Sequence, residues 1–160
     1  MKNITETPIK HALLGDVKIR ALNPEHDLTT ITPWLKHPQA QVWGAMEHSP
    51  EEILEFYTTL NKDEAQQAYL LEINQTPIAL IEIYKPQILK LENHLALKNG
   101  DLGMHILLAP KQFSVAGFSL AVMQSVLVFM FNTLSCERVN VAHNVANNTI
   151  HSLNLTTSLR

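Results

Sequence analysis

The run from Gly103 to Asn144 constrains the fold more than any other part of the chain. GMHILLA (Gly103–Ala109) is an apolar strand pattern. A loop holding one glycine, Gly117, leads into an apolar helix over Ser119–Leu134, with Leu120, Met123, Leu127, Met130, Phe131 and Leu134 near one face. RVNVAHN (Arg138–Asn144) then reads as a strand again. Strand, helix and strand in that order form a crossover, the connection that parallel neighbours require. The chain must therefore hold a sheet with a helix packed on its face.

The remaining elements precede and follow this unit. VKIRAL (Val17–Leu22) alternates apolar and basic residues, as a half-buried strand does. In NPEHDLTTITPWLKH, Asn23 can cap a helix, Pro24 suits its first position, and Glu25 and Asp27 suit its first turn. Pro33 lies inside that pattern and predicts a kink or restart. Ser49, Pro50 and Glu52 form a capping box with proline at N1, and Ile53, Leu54, Phe56, Tyr57 and Leu60 supply an apolar face. AYLLEIN and PIALIEIYK are β-rich runs joined across NQTP as a hairpin. The stretch from Pro86 to Asp101 is polar and irregular, and NNTIHSLNLTTSL is a weak helix pattern rich in Thr and Asn. The order is β-α-α-β-β-β-α-β-α: an α/β (α+β) fold with a mixed, mainly antiparallel sheet flanked by helices.

Bulk properties narrow the function classes. A chain of 160 residues suggests one domain, with 1–16 as a flexible arm and 17–160 as the domain. Net charge is −3, so no global field draws the protein onto nucleic acid or an anionic membrane, and no aromatic-basic stripe appears. The longest apolar run, Val126–Phe131, is too short to span a bilayer, and the N-terminus lacks the apolar core of a signal peptide. The single cysteine, Cys136, fits a reduced, cytoplasmic compartment and an inert thiol. None of the eight histidines forms a metal-binding pair, so no metal site is expected.

Two apolar strands carry the polar residues of interest. His105 sits in GMHILL, with Met104 and Ile106 directed to the opposite face. It reads either as a hydrogen-bonded core histidine or as a base working near pH 7. Glu82, between Ile81 and Ile83, points to solvent or to a working cleft. Trp43 reads as packing or as a pocket wall, and Glu47 as a surface charge or a ligand for a cation.

Three stretches in this order resemble the GNAT acyl-CoA N-acyltransferases, closest to the branch that acylates amines or hydroxylamines in siderophore assembly: VWGAMEHSPEE (Val42–Glu52), ALIEIYK (Ala79–Lys85) and GDLGMH (Gly100–His105). The resemblance implies direct acyl transfer from acetyl-CoA or another acyl-CoA to a small amine or hydroxylamine. It implies that Ser114, Val115, Ala116, Gly117, Phe118 and Ser119 hold the pyrophosphate, that Ile106, Leu107, Leu108 and Asn147 also bind the cofactor, and that backbone amides on the Met104–Leu108 strand polarise the thioester carbonyl. His105 becomes the general base or a substrate-positioning group, with Asn144 where relatives place an aspartate. Trp43, Glu47, Glu82 and Tyr84 become the acceptor pocket.

Departures from the family pattern are concentrated at the donor site. Ala116 replaces a basic residue, Ser119 replaces a second glycine, and Asn144 cannot titrate. TTSLR ends the sequence where further strands are expected, which predicts an exposed sheet edge open to a second copy. These departures imply weak cofactor binding and support an alternative, a GNAT-derived binding or scaffold protein. A second alternative is an aminoglycoside-type N-acetyltransferase, which WLKHPQAQVWG (Trp34–Gly44) also resembles.

Overall fold

In the computed structural model, which describes residues 7–89, 97–112 and 115–140, the first regular unit is a hairpin. Ile9–His11 (β1) pairs antiparallel with Gly15–Ala21 (β2), so part of the segment read as an arm supplies a strand. The side chain of His11 holds the intervening turn, because its Nδ1 accepts from the amides of Leu13 and Leu14 at 3.0 and 3.4 Å.

Helix α1 (Pro24–Lys36) starts at the Asn23 cap, whose side chain accepts from the His26 amide. It runs through Pro33 as one helix, so the restart expected there does not occur. The chain leaves the helix only at His37, which then caps a short 3-10 turn, Pro38–Trp43. Asp27, in the first turn of α1, does more than complement the helix dipole. Both of its oxygens accept from the Arg20 guanidinium at 2.8 Å, and one also accepts from the Asn23 amide. Burial pushes the Asp27 carboxyl up, but Arg20 and Asn23 outweigh it and hold its pKa below the ordinary value. Helix α2 (Pro50–Lys62) begins with the expected capping box, both bonds present: Glu52 N to Ser49 Oγ at 3.2 Å and Ser49 N to Glu52 Oε1 at 2.9 Å.

Strands β3 (Gln66–Ile73) and β4 (Thr76–Tyr84) meet across Asn74 and Gln75, which adopt φ of 51° and 66°. Two consecutive left-handed residues make the hairpin turn whose twist matches the strands, so the loop is two residues and the strand resumes at Thr76. Strand β5 (Asp101–Leu108) continues the meander, α3 (Phe118–Val128) crosses over, and β6 (Arg138–Val139) returns parallel to β5. The helix predicted to reach Leu134 changes after Val128 to a π-helical turn over Phe129–Thr133. Among the described residues the sheet has six strands in sequential order, antiparallel except for β5–β6. The mixed, mainly antiparallel α+β architecture is the one read from the sequence.

Both faces of the sheet are covered, and residue parity decides which core each side chain joins. Tyr69, Leu71, Ile81, Ile83 and Met104 pack with Val122, Met123, Val126 and Phe129 under α3. Leu70, Leu80 and Leu107 pack with Ile31, Leu35, Ile53, Tyr57 and Leu60 under α1 and α2. Burial on both faces explains why β3 and β4 read as near-continuous apolar runs. Glu82 and His105 share parity with Leu80 and Leu107, and therefore sit on the α1–α2 face.

Candidate active site

Register places the polar residues together. In the β4–β5 pair, Glu82 lies directly opposite His105, and Tyr84 lies opposite Gly103. Side chains directly opposite on one face are near enough to interact. Glu82 Oε1 is 3.3 Å from His105 Nδ1, and the Tyr84 hydroxyl is 3.4 Å from His105 Nε2. The rings of Tyr84 and His105 lie with centroids 4.9 Å apart, and Trp43 presents itself to His105 edge-on at 6.1 Å. Gly103 makes this possible: a Cβ there would stand 2.5 Å from Cε2 and Cζ of Tyr84. The second glycine of GDLGMH is thus the space that the Tyr84 ring occupies.

A fourth member comes from α2. The Tyr57 hydroxyl donates to Glu82 Oε2 at 2.9 Å. Tyr57 is buried, and burial, reinforced by the Glu82 carboxylate, pushes its pKa well above the ordinary value, so its proton stays in place as a donor. The sequence reading used Tyr57 only as part of an apolar face. Two signals pointed further. A buried tyrosine needs a partner for its hydroxyl, and a glutamate inside an apolar strand needs a donor.

These groups open onto a cavity of about 690 Å³ lined by Trp43, Tyr57, Glu82 and His105, with Glu52, Glu55 and Asp63 among the other residues along it. Among the described residues no lysine or arginine lines it. The exposed Phe56 stands at its wall, edge-on to Tyr57. The loop that carries Trp43 is shaped by Gly44 in the left-handed region at φ 72° and by the Lys36 ammonium, which donates to the carbonyls of Met46 and His48. Glu47, expected in the acceptor pocket, is exposed and lies outside the cavity lining. Tyr84 reaches the site through His105 rather than as cavity wall.

The helix start expected to hold a pyrophosphate has a different character. Gly117 is the N-cap of α3 at φ 74°, no side chain caps the helix, and no acid stands in its first turn. Val115, Ala116 and Gly117 are exposed. The Phe118 amide bonds to the Val115 carbonyl, and the first intrahelical bond runs from Ala121 N to Gly117 O at 3.1 Å. The amides between them, at Ser119 and Leu120, have no partner within the helix, as at any helix N-terminus. Such an end suits an anion through main-chain donors and the helix dipole, so these residues fit a pyrophosphate. Ile106 and Leu108 turn their side chains to the α3 core and Leu107 to the other, so only main-chain groups of these three are available to a thioester. Ser114, Asn144 and Asn147 lie outside the described residues.

A second cavity, of about 820 Å³, is lined in part by Lys85, Asp101 and Cys136. Asp101 is buried and accepts from Arg138 Nε and Nη2 at 2.9 and 2.6 Å, which ties β5 to β6 and holds its carboxyl below the ordinary value. Cys136 is buried and its thiol is pushed up by desolvation, an inert environment. Among the described residues no helix is long and apolar enough to cross a membrane.

The chain is 24% identical over 113 residues to the N-hydroxyputrescine acetyltransferase of Acinetobacter baumannii, an overlap that covers 71% of this chain and 54% of the relative. It therefore spans about half the length of the curated relative it matches. Among solved structures, aminoglycoside acetyltransferase AAC(6′)-Ib in complex with coenzyme A and kanamycin superposes with a TM-score of 0.71 at 19% identity, covering 87% of this chain and 81% of that one. A spermidine N-acetyltransferase SpeG chimera of the Vibrio cholerae and hSSAT proteins superposes with a TM-score of 0.66 at 22% identity, covering 88% and 77%. The model of the acetyltransferase (GNAT) domain matches residues 23–160, and with this fold and this match the chain belongs to the GNAT acetyltransferases.

Proposed function

We propose that the protein is an acyl-CoA-dependent N-acyltransferase that acts on a small cationic amine or hydroxylamine, of the kind used in siderophore precursors. The observation that carries this reading is the Glu82–His105 pair facing a cavity with acidic and aromatic walls and, among the described residues, no lysine or arginine. Such walls attract ammonium groups by charge and by the faces of aromatic rings. The compounds named with the relatives, N-hydroxyputrescine, spermidine and kanamycin, share this chemistry: each carries at least one basic amine.

Acyl-CoA supplies a thioester, an acyl group already activated toward nitrogen. Main-chain donors at Gly117, Ser119 and Leu120 would hold its pyrophosphate, and β5 amides near Ile106 to Leu108 would polarise its carbonyl. In the acceptor site, His105 donates Nδ1–H to Glu82, which leaves Nε2 as the basic nitrogen. Its contact with Tyr84 is long, at 3.4 Å, so an incoming amine can displace it. His105 takes the proton as the nitrogen–carbonyl bond forms, and Glu82 stabilises the imidazolium. As the carbon–sulfur bond breaks, the same proton returns to the thiolate sulfur with Tyr84 beside the path. Holding both reactants across one strand supplies much of the rate by proximity.

Thiol release from acetyl-CoA should be measured with N-hydroxyputrescine, putrescine, spermidine and kanamycin, beside thermal denaturation with coenzyme A. Turnover with a diamine or its hydroxylamine, together with a raised melting midpoint, is expected. Coenzyme A at millimolar concentration with no shift and no turnover would replace this reading by the scaffold reading. Preference for kanamycin would move it to the aminoglycoside type.

A further inference from the structure

The reading above assigns the proton chemistry to Glu82 and His105 and leaves Tyr57 unused. We infer that Tyr57 is a positioning residue that sets the proton affinity of the Glu82–His105 pair, and so the lowest pH at which the acyltransferase works. This rests on the proposed acyltransferase activity.

The geometry is specific. Glu82 has two oxygens, and the structure gives each a different partner: Oε2 accepts from Tyr57 at 2.9 Å and Oε1 faces His105 Nδ1 at 3.3 Å. The Tyr57 hydroxyl is fixed from behind, because its ring is buried between α2 and the sheet and packed edge-on against Phe56 at 4.9 Å. Glu82 is mostly buried, with 15% of its side chain exposed. A carboxylate withdrawn from water is costly unless donors satisfy it. Tyr57 is the neutral donor that satisfies one oxygen without adding a charge. By stabilising the anion it lowers the affinity of the pair for a proton. It also removes the freedom of Glu82 to rotate away from His105.

Other titratable groups near the pair are few. Tyr84, on the same strand as Glu82, faces His105 Nε2. Along the cavity stand His48, Glu52, Glu55 and Asp63. His48 and Glu52 pair with each other at 3.2 Å, and Asp63 accepts from the Ala65 amide and the Gln66 side chain. None of these is bonded to Glu82; of the two tyrosines that touch the pair, Tyr57 is the one on the carboxylate, and its removal adds no charge.

Tyr57→Phe keeps the ring and its packing and deletes only the donor. Two readouts are needed. The first is the pH profile of kcat/KM for the amine. Loss of a hydrogen bond to a charged group should move the acidic limb upward by about one pH unit. Activity then falls about tenfold on that limb and recovers at high pH. The second, independent of turnover, is the NMR titration of the His105 ring, whose midpoint should rise in the variant. Tyr69→Phe, a buried tyrosine under α3, should leave both unchanged. A Tyr57→Phe protein that loses activity equally at all pH, with the His105 midpoint unmoved, overturns the inference and leaves the activity standing. If the unaltered protein turns over no amine at all, the activity itself fails, and the NMR midpoint still decides whether Tyr57 tunes the pair.

Discussion

The two halves of the proposed site are built differently. On the acceptor side, four side chains from three elements hold one another: Tyr57 on Glu82, Glu82 on His105, His105 beside Tyr84. On the donor side, the start of α3 offers main chain alone, with a left-handed glycine, no side-chain cap and the exposed, uncharged Val115 and Ala116. The first arrangement is specific in geometry and proton inventory before any ligand arrives. The second is a generic anion seat whose strength comes from backbone donors and a dipole. The difference teaches that catalysis and donor affinity should respond to separate mutations. A change at His105 should alter turnover and leave donor binding alone, whereas a change at the α3 start should do the reverse.

The hardest test of that separation is His105→Ala. Removing a general base lowers the rate by roughly 10²–10⁴-fold. Thiol-release kinetics should show this loss in kcat, while the KM for acyl-CoA stays within experimental error. The melting midpoint should barely move, because the side chain is 43% exposed. A parallel rise in the KM for acyl-CoA would join the two halves and end the comparison.

Next in size are the carboxylates that anchor each half. Asp27 ties α1 to β2 on the acceptor side through Arg20, of which 22% of the side chain is exposed. Asp101 ties β5 to β6 on the donor side through Arg138, of which 47% is exposed. Breaking a pair buried on both sides costs about 3–5 kcal/mol, whereas solvent around the more exposed Arg138 screens its pairing with Asp101. Chemical denaturation should therefore rank Asp27→Asn as more damaging than Asp101→Asn. Both carboxyls have folded pKa values below their ordinary ones. Their stabilisation is complete above the unfolded pKa, near 4, and is lost as pH falls through the folded values. The midpoint of the unaltered protein should decline below about pH 4, and each variant should lose part of that decline.

Gly103→Ala comes third. The new methyl would stand 2.5 Å from the Tyr84 ring, too close for either group to stay where it is. Overpacking of this kind costs about 1–3 kcal/mol. The midpoint should fall, and kcat should fall with it as Tyr84 leaves His105. Unchanged kcat in a folded variant would show that Tyr84 is not needed beside the base.

Legibility in the sequence follows the range of the interactions. The capping box at Ser49 and Glu52 was readable because it is completed within four residues. Strict alternation put Glu82 and His105 on one face of their strands, and the crossover of α3 followed from strand and helix periods. Contacts between distant segments were not readable. Tyr57 and Glu82 are 25 residues apart, and only their folded register brings them together. Pro33 misled for a related reason. Packing of Ile31, Trp34 and Leu35 in the α1–α2 core keeps the helix whole on both sides of the missing donor, outweighing the local cost of proline. Glu47 stands outside the cavity lining, and residue type alone does not tell which side of its loop faces the cavity. Of the expected donor residues, Gly117 stands at the helix start as read, whereas Ser114, Asn144 and Asn147 fall outside the described residues.

The smallest expected effect is also the most direct probe of the donor side. Ala116 is exposed beside the N-cap of α3 and carries no charge. In Ala116→Lys, a flexible ammonium sits one residue before Gly117, within reach of an anion on the helix amides. An exposed charge contact is worth about 0.2–1 kcal/mol, so the KM for acyl-CoA should fall by about 1.4- to fivefold, with kcat and the amine KM unchanged. The gain should shrink as salt rises from low to physiological ionic strength, since exposed charges are screened over about 8–10 Å. Dephospho-coenzyme A thioesters should keep the gain, because they retain the pyrophosphate and lack only the ribose phosphate. If the gain disappears with the ribose phosphate, the lysine is meeting that group and the pyrophosphate lies elsewhere. If the KM does not change at any salt concentration, the α3 start is not the donor seat, and the contrast between a side-chain acceptor site and a main-chain donor site loses its second half.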